Sequence, residues 1–280
     1  MKSLFRYLSA GCSLLLCAQL SFAQGVKMPA PSPGQTIHQD FALSFVEVNY
    51  SRPATKGRKV MGDLVPFDKV WRTGANGATV ITFGDDIKFG GTDVKAGKYG
   101  LLTIPGKTEW TVILTKSLDV TSPAAYKPEN DVVRVKVKPT ELPFSVENFM
   151  INFDNVTANS TRMMLIWEKT MVSVELAAEV DSKIMAQLDA AMKGDKKPYF
   201  QAATYYYETN RDLKQALAWA EEAVKENPTA FWIATLKARI QAKAGDKKAA
   251  KATAEKAIEL AKAAKNDDYV VINQKIIASL

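Results

Sequence analysis

The spacing of apolar residues changes once along this chain, and that change decides what it can fold into. From about Phe41 to Leu176 the apolar residues fall in short runs with a two-residue period, whereas beyond Glu179 they recur every three or four positions. Side chains alternate across a strand and return every 3.6 residues around a helix, so the two parts cannot share one secondary structure. The pattern predicts a multidomain α+β protein. An antiparallel β-sandwich or jelly-roll-like domain is expected over residues 41–178, and an α-helical domain over 179–280.

The stretch "DVVRVKVKP" is the clearest strand: Val133, Val135 and Val137 face one way and Arg134, Lys136 and Lys138 the other. "ALSFVEVNY", "TVITF", "YGLLTI", "WTVIL", "MINF", "MMLIW" and "VSVEL" read the same way, rich in β-branched and aromatic residues and divided by Gly, Pro, Asn and Asp turns. No helical pattern lies between them, which excludes a parallel sheet built through helical crossovers. Residues 24–40, with Pro29, Pro31 and Pro33, read as a separate N-terminal segment.

In the second part "DSKIMAQLDAAMKG" sets Ile184, Leu188 and Met192 on one helical face, with Gly194 as a stop. Two later segments repeat, pairing Asp212 with Asp246, Ala216 with Ala250, Ala220 with Ala254 and Ala223 with Ala257, each pair 34 positions apart. That spacing resembles a tetratricopeptide repeat. Tyr207, Ala216, Ala223 and Pro228 match it in the first unit, while Lys237, Gln241 and Lys262 depart from it in the second. Two units are few for an independent stack, so helices at 180–193 and 268–280 are expected to cap them.

The first residues direct export. Lys2 and Arg6 precede an apolar core from Leu8 to Leu20, and Ser21-Phe22-Ala23 offers the small residues a signal peptidase reads, so 1–23 is expected to leave a chain starting at Gln24. Lipid attachment at Cys12 is disfavoured because the apolar stretch before it is too short. Cleavage removes Cys12 and Cys17, leaving no thiol and no disulfide, and removal of Lys2 and Arg6 takes the formal charge from +7 to +5. The remaining lysines are scattered among acids rather than gathered in the basic stripe that nucleic acid would need. The expected location is the periplasm or outside the cell, with no transmembrane segment in the mature chain.

Over residues 32–178 the runs "VEVNYSRPATKGRKVMGDLVPFDKVWRTGAN", "AGKYGLLTIPGKTEWTVIL" and "LIWEKT" resemble the bacterial family known as domain of unknown function 2911. The resemblance implies an envelope or secreted β-rich protein, sometimes with a helical-repeat tail. It implies no activity.

Chemistry must therefore be read from the residues. His38 is the single histidine, so neither a Ser-His-Asp triad elsewhere nor a His-rich zinc site is available, and no metal or cofactor is expected. No Gly-rich loop joins a strand to a helix, and Asp85 and Asp86 sit in a turn sequence. The polar residues that remain cluster before and within "KVWRTGANG": Tyr50, Arg52, Arg58, Trp71, Arg72, Thr73 and Asn76. Arg supplies a rigid donor fork and Trp a flat apolar face, a combination suited to an anionic or sugar ligand. The same residues also read as a turn, with Trp71 in the core and Arg72 paired to Glu47 or Glu109. In the tail, Phe200 and Tyr207 read as core, and Tyr206 and Trp219 as contacts for an envelope protein or peptide.

These readings favour a non-catalytic binding or scaffolding module with a helical adaptor tail. A carbohydrate-acting or other hydrolase is the alternative, requiring a cleft that unites Arg72 with carboxylates. A small-ligand carrier would instead require an enclosed apolar cavity.

Overall fold

The computed structural model describes residues 28–280; the expected export signal, with Cys12 and Cys17, lies outside the described residues. The protein is mixed α+β, with two antiparallel sheets in its N-terminal part and six helices, among the described residues, in its C-terminal part. None of these helices is long and apolar enough to cross a membrane.

The strands are β1 (Gly34–Phe41), β2 (Ser44–Ser51), β3 (Val80–Phe83), β4 (Ile87–Phe89), β5 (Thr92–Val94), β6 (Gly97–Ile104), β7 (Trp110–Thr115), β8 (Asp131–Val137), β9 (Thr140–Asp154) and β10 (Ser160–Ala177). The six-stranded sheet has the order β1-β2-β3-β6-β7-β8 and the four-stranded sheet the order β5-β4-β10-β9. Alternation places Val46, Val48 and Tyr50 of β2 inward, where they join Phe83 and Leu114 from the same sheet and Phe89, Phe149 and Trp167 from the other. One apolar cluster thus draws on both sheets. Its centre is filled by large side chains that are almost wholly removed from water, and fully burying a side chain of this kind contributes about 1.5–3 kcal/mol. The middle of the six-stranded sheet is covered on its other face too. Leu102 and Ile113 pack there with Val120, which is why β6 and β7 read as nearly continuous apolar runs.

Three features depart from the local reading. Strand β1 lies largely in the Pro-containing segment that the sequence leaves outside the β region, and it pairs along its full length with β2. Its polar-rich sequence hides it, because an edge strand needs only one partner. "MMLIW" and "VSVEL" belong to a single 18-residue strand, β10. The polar "EKT" between them looks like a turn, but Glu168 takes a left-handed φ of 54° where the register with β9 shifts. A bulge absorbs the extra residue and the strand continues. Residues 140–147 likewise extend the "MINF" strand into β9.

The helices are α1 (Asp181–Ala191), α2 (Tyr199–Glu208), α3 (Leu213–Glu226), α4 (Phe231–Lys243), α5 (Lys247–Ala263) and α6 (Asp267–Ala278). The 34-residue spacing repeats a physical unit. The Asp212 carboxylate accepts from the backbone N–H of Lys214 at 2.8 Å at the start of α3, and that of Asp246 from Ala249 at 2.9 Å at the start of α5. The paired alanines 216, 220, 223, 250, 254 and 257 are 0–1 % exposed, so the helices approach closely along both stripes. Helix α1 has no buried residue of its own. It joins the two parts through Ile184, which packs on the β core, a 2.5 Å Lys183–Asp85 ion pair, and bonds from Arg211 and Tyr205 to Asp181.

The alanine stripe can be checked directly. Ala220→Leu should overpack the α3 contact and lower stability by about 1–3 kcal/mol, while Ala218→Leu on the exposed face of α3 should change it by less than about 0.5 kcal/mol. Urea unfolding followed by helical circular dichroism distinguishes the two.

Candidate functional site

Between β2 and β3 the chain leaves both sheets but stays stitched to each. The Trp71 N–H donates to Thr103 O at 2.7 Å and the Trp71 carbonyl receives the Thr103 N–H at 3.0 Å, which binds this segment to β6. The Phe149 N–H donates to Pro53 O at 2.8 Å and the Thr55 N–H to Glu147 O at 2.9 Å, which binds it to β9 of the other sheet. The segment therefore spans from one sheet to the other, and Trp71 sits at the junction. Its ring lies 4.9 Å from Phe149 edge-on and 5.7 Å from Trp167 nearly parallel, while its indole N–H donates to Gly74 O at 3.0 Å.

Beside this aromatic contact is an open hollow of about 290 Å³. Four of the residues singled out in the sequence, Arg58, Trp71, Arg72 and Asn76, line it together, with Trp167, Leu64, Val65 and Gly74 among the other walls. Gly74 is required there by space: a Cβ would come within 2.9 Å of Thr79 Oγ1 and 3.1 Å of Ser51 O.

Tyr50, Arg52 and Thr73 frame the corner without lining the hollow. The buried Tyr50 hydroxyl accepts from the Ile151 N–H and donates to Gln35 Oε1, both at 2.9 Å, and burial pushes its phenol above the ordinary value. Arg52 Nε donates to Phe149 O at 3.0 Å. Thr73 is fully buried at a left-handed φ of 54°, an uncommon state for a β-branched residue, and its hydroxyl meets that of Thr103 at 3.2 Å.

The pairing of Arg72 with Glu47 or Glu109 does not occur. Glu47 lies 3.3 Å from His38 and Glu109 pairs with Lys136 at 2.8 Å. Arg72 Nη1 instead donates to Asn76 O at 2.7 Å, and Arg58 donates to the backbone oxygens of Thr55 and Ala54 at 2.9 and 2.7 Å. Among the described residues the arginines in ion pairs are Arg134 and Arg211; Arg52, Arg58 and Arg72 form none, although the charge of Arg58 helps to stabilise the Glu147 carboxylate. The hollow's lining contains no Asp or Glu, and the carboxylate pair that a hydrolase would need is not assembled around Arg72. An enclosed apolar cavity is likewise not what this site offers, since the space between the sheets is occupied by Phe83, Phe89, Phe149 and Trp167.

The other candidates are placed as follows. His38 is half exposed and stacks on Phe45 at 4.8 Å, and among the described residues no group of three or more His, Cys, Asp or Glu is arranged to hold a metal. Asp86 accepts from Lys95 and from the Ala96 N–H, and Asp85 from Lys183, as turn and surface acids do. In the tail Tyr206 and Trp219 meet edge-on at 4.7 Å and both are half-buried against Ala203, Ala216 and Leu236, alongside Phe200 and Tyr207. The pair also borders a second hollow, of about 460 Å³, that Met185 and Met192 help to line.

Trp167 is the site residue that the sequence did not single out. Only the "LIWEKT" stretch carried a hint, because the strand pairing that sets it beside Trp71 leaves no local pattern.

A family model described as "Protein of unknown function (DUF2911)" matches residues 32–176. No curated protein and no solved structure matches the chain.

One carboxylate fixes the arginine-bearing segment from below. Glu147 accepts from the Thr55 hydroxyl and from the Lys56 N–H at 2.9 Å, and these bonds, the hydroxyl's first, hold its carboxyl below the usual range. A depressed folded-state pKa adds stability that is fully present above the unfolded value of about 4.3 and is lost as pH falls through the folded one. Glu147→Gln should therefore be less stable than the parent at pH 7, with the difference closing below about pH 4. Denaturant midpoints measured from pH 7 to pH 3 check this.

Proposed function

The chain belongs to the DUF2911 family, and from that premise we propose that it is an exported, non-catalytic binding protein of the cell envelope. In this reading the two sheets form a β-sandwich module whose hollow at Trp71 takes an anionic or sugar ligand, and the helices form a tetratricopeptide-like adaptor for an envelope protein or peptide. The observation that carries the reading is the charge at the hollow: Arg58 and Arg72 face it, neither in an ion pair and with no Asp or Glu in the lining, against the flat walls of Trp71 and Trp167. A cation left beside apolar aromatic surface favours a ligand that brings the missing negative charge, and a planar guanidinium can meet it with two parallel bonds. Stacking on Trp71 would orient the ligand's body, as sugars and flat acids require.

Export remains the expectation drawn from the first residues. It suits a chain whose mature form would carry no cysteine and would rely on its core for stability in an oxidising compartment. The adaptor reading rests on the repeated Asp-capped, alanine-lined helices and on the half-buried Tyr206–Trp219 pair beside Met185 and Met192. Methionine-lined surfaces adapt to varied apolar partners.

Two measurements test these assignments. In calorimetric titrations with inorganic phosphate, a dicarboxylic acid and a uronic acid, at least one should bind saturably, and Arg72→Ala should weaken it about tenfold or more while leaving the unfolding midpoint within a few degrees. Unchanged affinity would remove the hollow from the proposal. For the tail, a version ending at Val180 should lose whatever envelope proteins the complete chain retains on affinity capture.

A further inference from the structure

Beyond the two arginines, the hollow is bordered by a stretch of backbone with an unusual balance of donors and acceptors. From Arg72 to Ala78 no backbone N–H donates to any acceptor among the described residues. Three carbonyls of the same stretch are occupied: Thr73 O by the Thr79 hydroxyl at 2.8 Å, Gly74 O by the Trp71 indole at 3.0 Å, and Asn76 O by Arg72 at 2.7 Å. Unmatched buried N–H groups are rare because each forfeits its bond to water. Here Thr73 and Gly74 are buried, while Asn76 and Gly77 at the rim are open to a ligand from solvent.

The conformation fits a purpose. Thr73 and Asn76 are left-handed, at φ 54° and 57°, each preceded by a residue with negative φ, and Asn76 is pinned from outside by a 2.9 Å bond from its side-chain amide to Ser32 O. Alternation of this sign is how successive N–H groups turn toward a common point and form an anion-binding concavity. The bonds on the carbonyl side keep the segment from relaxing into an ordinary turn.

Resting on the reading of the hollow as a ligand site, we propose that residues 72–77 form a backbone oxyanion cradle, with Gly74, Ala75 and Asn76 supplying N–H donors and Arg72 the charge. The ligand class is then an oxyanion with two or more acceptor oxygens, a phosphate or a carboxylate, rather than a neutral sugar. Neutral hydroxyls would leave both the N–H row and the two guanidinium groups undercompensated.

The test is a titration of ¹⁵N-labelled protein with inorganic phosphate and, separately, with a dicarboxylic acid and a neutral hexose. The proposal expects saturable shifts of the Gly74–Gly77 amides with at least one oxyanion and none with the hexose. Arg72→Lys, which keeps the charge, should retain the amide shifts with about tenfold weaker affinity. Arg72-dependent oxyanion binding without movement of those amides would overturn the cradle and leave the hollow as an anion site held by side chains. Binding of the hexose alone, with the Trp71 indole signal moving, would overturn the cradle and keep a sugar-binding module. No binding by any probe to a protein with a folded spectrum would overturn both.

Discussion

The contact of Trp71 with Trp167 and Phe149 is the point on which the β part of this protein turns. Trp71 belongs to a segment outside both sheets, Phe149 to β9 and Trp167 to β10, while the backbone of Trp71 pairs with Thr103 in the opposite sheet. One indole therefore couples both sheets to the chain that crosses between them. Trp167 is 2 % exposed and donates its own N–H to Glu147 O at 3.2 Å, so the wall behind Trp71 is fixed by packing and by a hydrogen bond. Truncating a buried tryptophan of this kind costs about 3–5 kcal/mol. Here it would also free the Trp71 ring, whose indole holds the carbonyl of Gly74. One ring consequently both packs on the core and walls the hollow.

What was legible in the sequence was local. Alternation revealed the buried face of β8, the change of period marked the passage from strands to helices, and the 34-residue spacing located two Asp caps and two alanine stripes. Each of these follows from a side chain and its neighbours within a few positions. The illegible features depend on distant partners. The sequence of β1 is polar at most positions and becomes a strand through β2, and β10 survives its polar interruption because β9 accommodates a bulge at Glu168. Trp167 reaches the site only through pairing of long strands. Of the seven corner residues read from the sequence, Arg58, Trp71, Arg72 and Asn76 share the hollow, while Tyr50, Arg52 and Thr73 hold its frame. Residue type alone could not separate the two groups, because the same hydroxyl or guanidinium serves either purpose according to what lies within 3 Å.

The arginines illustrate the distinction. Arg134 and Arg211 each meet an aspartate and a tyrosine, and their charge is answered inside the protein. Arg52 and Arg58 give their bonds to backbone oxygens, as does Arg72, and a carbonyl dipole answers a full positive charge only in part. Backbone oxygens orient these side chains while leaving their charge available. A carboxylate in the same places would have oriented them equally well and silenced them. Together with backbone N–H groups from Arg72 to Ala78 that donate to nothing among the described residues, the corner carries a surplus of donors that the fold itself does not consume. The turn at Asp85 and Asp86 is the contrast: its carboxylates are met by Lys183 of α1, by Lys95 and by the N–H groups of Asp86 and Ala96, so its polar groups answer one another within the fold.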